Sequence, residues 1–162
     1  MKNVGITNTA RGFTIIELLV AMTVFLIVVG ITSGIFIRTI RTQRIITDMS
    51  ASLNNITLAL EQIAREARTG YMFRSLTDSE LEFTNAQGEL VKYLLDEDQI
   101  QRSVNSGSLS SITSGGTIIE RLEFEIKDNS DPAFITIAVK TVGEGNIEVN
   151  LQTSVSSRVI GL

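Results

Sequence analysis

The chain has 162 residues, enough for one domain with an appendage, and a formal net charge of −4. It has no cysteine and no histidine, which excludes disulfides, thiol nucleophiles, Cys/His zinc sites and histidine acid–base catalysis. No Lys/Arg-rich run or basic stripe with interleaved aromatics appears, so no nucleic-acid contact through phosphate neutralisation is expected.

Residues 1–12 are a short polar stretch carrying Lys2 and Arg11. An apolar run begins abruptly at Phe13 and extends through Ile37, long enough to span a bilayer as a helix. A secretory signal would have a shorter apolar core followed by a small-x-small site. Here the run is too long, and Thr39-Ile40-Arg41 follows it. One charge, Glu17, interrupts the run. A carboxylate near the centre of such a span costs roughly 2.5–3.5 kcal/mol, so it needs a partner. Lys2 and Arg11 flank one side, and Arg38, Arg41 and Arg44 the other. The positive-inside rule therefore does not decide the orientation.

Nothing between Phe13 and Thr69 forces a helix to stop, and the first proline is Pro132. Gly30 and Gly34 lie within the span, where glycine is tolerated and permits close helix approach. Beyond Ile37 the pattern becomes one-sided. Ile46, Met49, Leu53, Ile56, Leu60, Ile63 and Ala67 form a helical stripe, with Thr47, Ser50, Asn54, Asn55, Glu61 and Arg65 elsewhere on the helix. That stripe reads as a face packed on the protein's own sheet. Gly70, after Arg65 and Arg68, marks the C-terminal stop. A helix over 13–69 would be roughly 85 Å long at 1.5 Å per residue.

After Gly70 the period becomes two. Leu81 and Phe83, then Val91, Tyr93 and Leu95, then Leu122, Phe124 and Ile126, then Ile135, Ile137 and Val139, and finally Ile147, Val149 and Leu151 mark half-buried strands. Ile100 to Val104 adds a short one. Turn residues separate them at 85–88, 96–98, 128–132 and 143–146. Ser103 to Gly116 is rich in serine and glycine and reads as a mobile loop that buries little area. The expected fold class is α+β: a long N-terminal helix, transmembrane over 13–37 and amphipathic over 38–69, packed on an antiparallel sheet of about five or six strands within 70–162.

No catalytic constellation emerges, and the chain is not read as an enzyme. Without histidine a Ser–His pair is impossible, and Gly115-Gly116 lacks the lysine and spacing of a phosphate loop. Asp96-Glu97-Asp98 and Asp128 with Asp131 offer oxygens that calcium could use, but neither matches a complete loop motif. Solvated turns account for them, and no metal or other cofactor is expected.

The block Arg11-Gly12-Phe13-Thr14-Ile15-Ile16-Glu17-Leu18-Leu19-Val20 resembles the type IV pilin signature, or class III signal peptide. The resemblance implies that a prepilin peptidase cuts between Gly12 and Phe13 and N-methylates Phe13. It implies that Glu17 neutralises the first residue of a neighbouring subunit during filament assembly. A residue without a side chain at Gly12 suits a backbone bent at the scissile bond, while Lys2 and Arg11 hold the leader at the anionic cytoplasmic face. The implied partners are the prepilin peptidase, other pilin or pseudopilin subunits, a cytoplasmic-membrane assembly platform and membrane lipid. The implied location is the cytoplasmic (inner) membrane, single-pass, with the head on the outer side, and then a pilus or pseudopilus. Loss of residues 1–12 removes two basic residues and takes the net charge to −6. The chain departs from the family in two ways: Gly34 stands where major pilins often have proline, and no disulfide can staple the C-terminal region.

Downstream, Ala59-Leu60-Glu61-Gln62-Ile63-Ala64-Arg65-Glu66-Ala67-Arg68, Leu81-Glu82-Phe83, Gly88-Glu89-Leu90-Val91-Lys92-Tyr93, Ile119-Glu120-Arg121-Leu122-Glu123-Phe124 and the run from Leu151 to Arg158 resemble minor pseudopilins of the type II secretion J class and W-type minor pilins. The alternative is a permanently anchored single-pass protein with a ligand-binding β domain, which would keep residues 1–12.

Overall fold

The computed structural model describes residues 12–127, 133–143 and 147–158. Lys2, Arg11, the 128–132 turn and residues 144–146 lie outside the described residues. The chain forms two compact units, Met1–Gln43 and Arg44–Leu162. Helix α1, Ile15–Arg68, begins in the first and ends in the second.

In the first unit, every described side chain is exposed. In the second, Ile56, Ala59, Leu60, Ile63 and Ala67 of α1 are buried. Met49 and Leu53 continue that face half-buried, whereas Ile46 is 59 % exposed and lies off it. The expected stripe is thus a core face from Met49 onward. It packs against Leu81, Phe83, Val91, Tyr93, Ile100, Ile119, Leu122, Ile135 and Ile137, all at 0–1 % exposure.

Eight strands follow α1: β1 Tyr71–Thr77, β2 Glu80–Thr84, β3 Leu90–Asp96, β4 Gln99–Val104, β5 Ser110–Ser111, β6 Ile119–Lys127, β7 Phe134–Gly143 and β8 Ile147–Ser156. They form two antiparallel sheets, ordered β1-β2-β3-β4-β5 and β6-β7-β8. The α+β arrangement expected from the sequence is the one observed, with two sheets in place of one. Two strands were not foreseen. β1 is an exposed edge strand with register shifts and a positive φ of 58° at Met72, so it has no period-two signature. β5 is only two residues long.

The sheets are tied where β6 passes the turns of the first sheet. Phe124 N donates to Asp78 O at 2.8 Å and Ile119 N to Asp98 O at 3.0 Å. The segment 103–116, expected as a loop that buries little area, is exposed over 105–111 and 114–116 but is also bonded to β4. Ile112 N donates to Ile100 O at 2.9 Å, Ile100 N to Thr113 Oγ1 at 3.1 Å, and Ser103 Oγ to Gly107 O at 2.9 Å. Short hydroxyl side chains bond nearby backbone readily, and here they fold the segment onto β4. Gly70 ends α1 by close approach: a Cβ there would stand 2.5 Å from the Phe83 ring.

Candidate functional site: the N-terminal segment

The start of α1 is built by Thr14 and Glu17. Glu17 N donates to Thr14 Oγ1, and Thr14 N donates to Glu17 Oε2, each at 3.3 Å. This is a reciprocal capping box, Thr-x-x-Glu, which satisfies two amides left without carbonyl partners at a helix start. Thr14 Oγ1 also donates to the same Glu17 oxygen at 3.3 Å. Sequence reasoning singled out Glu17 but missed Thr14 as its partner, although the spacing of three was the signal. Gly12 and Phe13 precede the helix and are exposed, Phe13 at 85 %. A Cβ at Gly12 would meet nothing within 4 Å, so folding of this chain does not require glycine there.

From Phe13 to Ile37 the apolar side chains cover the whole circumference and none is buried. Among the described residues, α1 is the one helix long and apolar enough to cross a membrane. Its hydroxyls suit that role. Thr23 Oγ1 donates to Leu19 O, Thr32 Oγ1 to Val28 O and Ser33 Oγ to Val29 O, all at 2.8 Å. Polar groups returned to the helix's own carbonyls need no water, as hydrocarbon demands. Glu17 is the only ionisable residue between Phe13 and Ile37.

In the second unit a partly buried ion pair joins α1 to β4. Arg102 of β4 donates through Nε and a terminal nitrogen to Glu66 of α1, at 3.2 and 3.1 Å. The Tyr93 hydroxyl lies buried beside them, with no partner at hydrogen-bond geometry among the described residues. Burial, followed by the charge of Glu66, pushes its ionisation well above the usual tyrosine range. The consequence for pH follows from the sign. An unfolded tyrosine ionises near pH 10, while folded Tyr93 keeps its proton, so stability present below that pH falls as pH rises above it. Unfolding midpoints of wild type and Tyr93→Phe should therefore diverge between about pH 9.5 and 11, the wild type losing more. Equal losses would remove Tyr93 as the cause.

The acidic turn at 96–98 is a two-residue hairpin connection. Glu97 and Asp98 have φ of 47° and 63°, as a type I′ turn requires, and Gln101 Nε2 donates to Asp96 Oδ2 at 3.0 Å. Among the described residues, no three His, Cys, Asp or Glu side chains gather as a metal site.

Residues 7–33 match the family model of the Prokaryotic N-terminal methylation motif. No curated protein and no solved structure matches the chain. The matched segment is a class III signal peptide motif of the type IV pilin-like kind. It implies processing by a prepilin peptidase and assembly with other pilin subunits, and it indicates a structural protein rather than an enzyme. The motif and the apolar start of α1 together fit a membrane-anchored, type IV pilin-like protein.

Proposed function

We propose that this chain is a structural subunit of a type IV pilus or type II secretion pseudopilus, of the minor pilin or pseudopilin kind. The observation that carries the reading is the methylation motif at 7–33 on a helix whose apolar start is exposed all round. An exposed apolar surface of that extent needs lipid or neighbouring helices around it. In this reading residues 1–12 are the leader, held at the cytoplasmic face of the inner membrane by Lys2 and Arg11. Cleavage falls between Gly12 and Phe13, which precede the helix and are exposed. Segment 13–37 sits first in lipid and then in the filament, 38–69 continues the helix, and 70–162 forms the head outside. An assembly platform in the same membrane moves the subunit from one setting to the other.

Glu17 has a defined task in this proposal. Cleavage creates an ammonium on Phe13, and methylation leaves its charge. The Phe13 amine of a staggered neighbour then meets the Glu17 carboxylate. At about 4 Å and an effective dielectric near 20 such charges attract by roughly 4 kcal/mol. The minor-subunit assignment is supported by the downstream resemblance to J-class and W-type sequences.

Mass spectrometry of the N-terminus tests the reading, with the chain expressed beside its own prepilin peptidase. The expected product begins at N-methylated Phe13. An intact Met1, with the peptidase active on another substrate, would make the chain a permanently anchored protein with a ligand-binding β domain.

A further inference from the structure

We propose that a groove beside α1 is the receiving site for Arg44 of a second copy of this chain, forming an intersubunit ion pair with Asp48. The proposal rests on the filament-subunit reading above and adds a contact to it. The groove has a volume of about 710 Å³ and is lined on one side by Asp48, Ser52 and Asn55 of α1. Ser114 and Thr117 line the other side, and Gly143 lies at its edge. Its wall is fixed: the Asn55 amide donates to Ser114 Oγ, and Ser114 N donates to Asn55 Oδ1 at 3.3 Å. Thr117 N donates to Ser114 O at 3.0 Å. A Cβ at Gly143 would come within 2.5 Å of Met49 Sδ, so a larger residue there would press on the helix.

Among the described residues that line the groove, Asp48 is the only charged one. It is exposed and forms no ion pair with any described residue. The absent intrahelical pair is informative. Glu61 and Arg65, four apart with the acid first, do pair at 3.3 Å. Arg44 and Asp48 are also four apart, but with the base first, the weaker orientation on a helix. Both are exposed, and neither is ion-paired with a described residue.

The occupant is argued from charge complementarity and spacing. The groove offers a carboxylate with hydroxyls near it, which suits the fork of a guanidinium better than a point charge. This chain supplies an exposed arginine at residue 44 that pairs with no described acid. Counted along the sequence, Phe13 precedes Glu17 by four residues, and Arg44 precedes Asp48 by four. Along this part of α1, a parallel neighbour displaced by about one helical turn brings its Arg44 level with Asp48. An isolated exposed pair is worth at most about 1 kcal/mol. The hydroxyl-lined groove provides the additional charge-assisted hydrogen bonds that make the contact selective.

The test is a charge swap in the full-length chain, expressed with prepilin peptidase in two tagged forms and co-purified from detergent. Asp48→Arg alone and Arg44→Asp alone should each lower co-purification of the two tags about tenfold. Copies of Asp48→Arg mixed with copies of Arg44→Asp should recover it to within about twofold, because only the mixed contact pairs opposite charges. Unchanged co-purification in both single variants would overturn the proposal, as would a mixture no better than either alone. N-terminal masses from the same samples separate the two levels. A processed Phe13 with charge-insensitive association sinks the groove contact alone, whereas an unprocessed Met1 sinks the filament reading beneath it.

Discussion

If the proposed role holds, Glu17→Gln should leave cleavage after Gly12 intact and reduce filament incorporation by roughly two to three orders of magnitude. The size follows from removing one partner of a desolvated ion pair, which costs about 3–5 kcal/mol. Glutamine is the informative substitution because the structure gives Glu17 two separable jobs. Its side chain caps α1 by accepting from Thr14 N, and in the proposed filament its charge meets a neighbour's amine. Glutamine also serves at this position of a capping box, so Glu17→Gln keeps the cap and discards only the charge. Glu17→Val discards both and should lose a further kcal/mol or so from the first turn. Processing is read by the N-terminal mass, and incorporation by the share of subunit in sheared filaments. Normal incorporation of Glu17→Gln beside failure of Glu17→Val would transfer the role from the charge to the cap.

Much of this was legible in the sequence because it depends on local pattern. The block from Gly12 to Val20 and the unbroken apolar run need no tertiary information. The stripe from Met49 to Ala67 has helical spacing, and its buried members lie where that spacing puts them. The inward positions Leu81, Phe83, Val91 and Tyr93 were equally plain, since alternation sorts a strand's two faces. What escaped notice depends on partners distant in the chain. β1 has no alternation because an exposed edge strand has no buried face to specify. The division into two sheets depends on β6 passing two turns, and no local pattern encodes that. The serine-rich segment looked loose by composition, yet Thr113 is buried and bonds back to Ile100. Ile46 fitted the stripe by spacing but lies beyond the core, where Ile45 is half-buried instead. The Glu66–Arg102 pair, 36 residues apart, was invisible for the same reason.

Phe83→Ala should destabilise the head by about 3–5 kcal/mol, a large part of the 5–15 kcal/mol typical of a whole domain. Phe83 is fully buried and sits between two aromatic neighbours, with ring centroids 5.3 Å from Phe73 and 6.2 Å from Tyr93. It also lies under the end of α1, where Gly70 leaves no room for a methyl group. That contact makes the prediction sharper than a cavity estimate. Gly70→Ala alone forces the Phe83 ring to move and should cost about 1–3 kcal/mol, as overpacking does. In the Phe83→Ala background the same methyl enters vacated space, so its cost should fall below about 0.5 kcal/mol. Urea unfolding of the full chain in detergent, followed by near-ultraviolet circular dichroism, reports the head, because the apolar start of α1 carries no tyrosine and remains helical in micelles. Additive costs for the two substitutions would mean that the Gly70–Phe83 contact does not limit packing at the helix end. A Phe83→Ala cost near 1 kcal/mol would mean that Phe73 and Tyr93 close over the gap, and that the three rings do not form the rigid centre assigned to them.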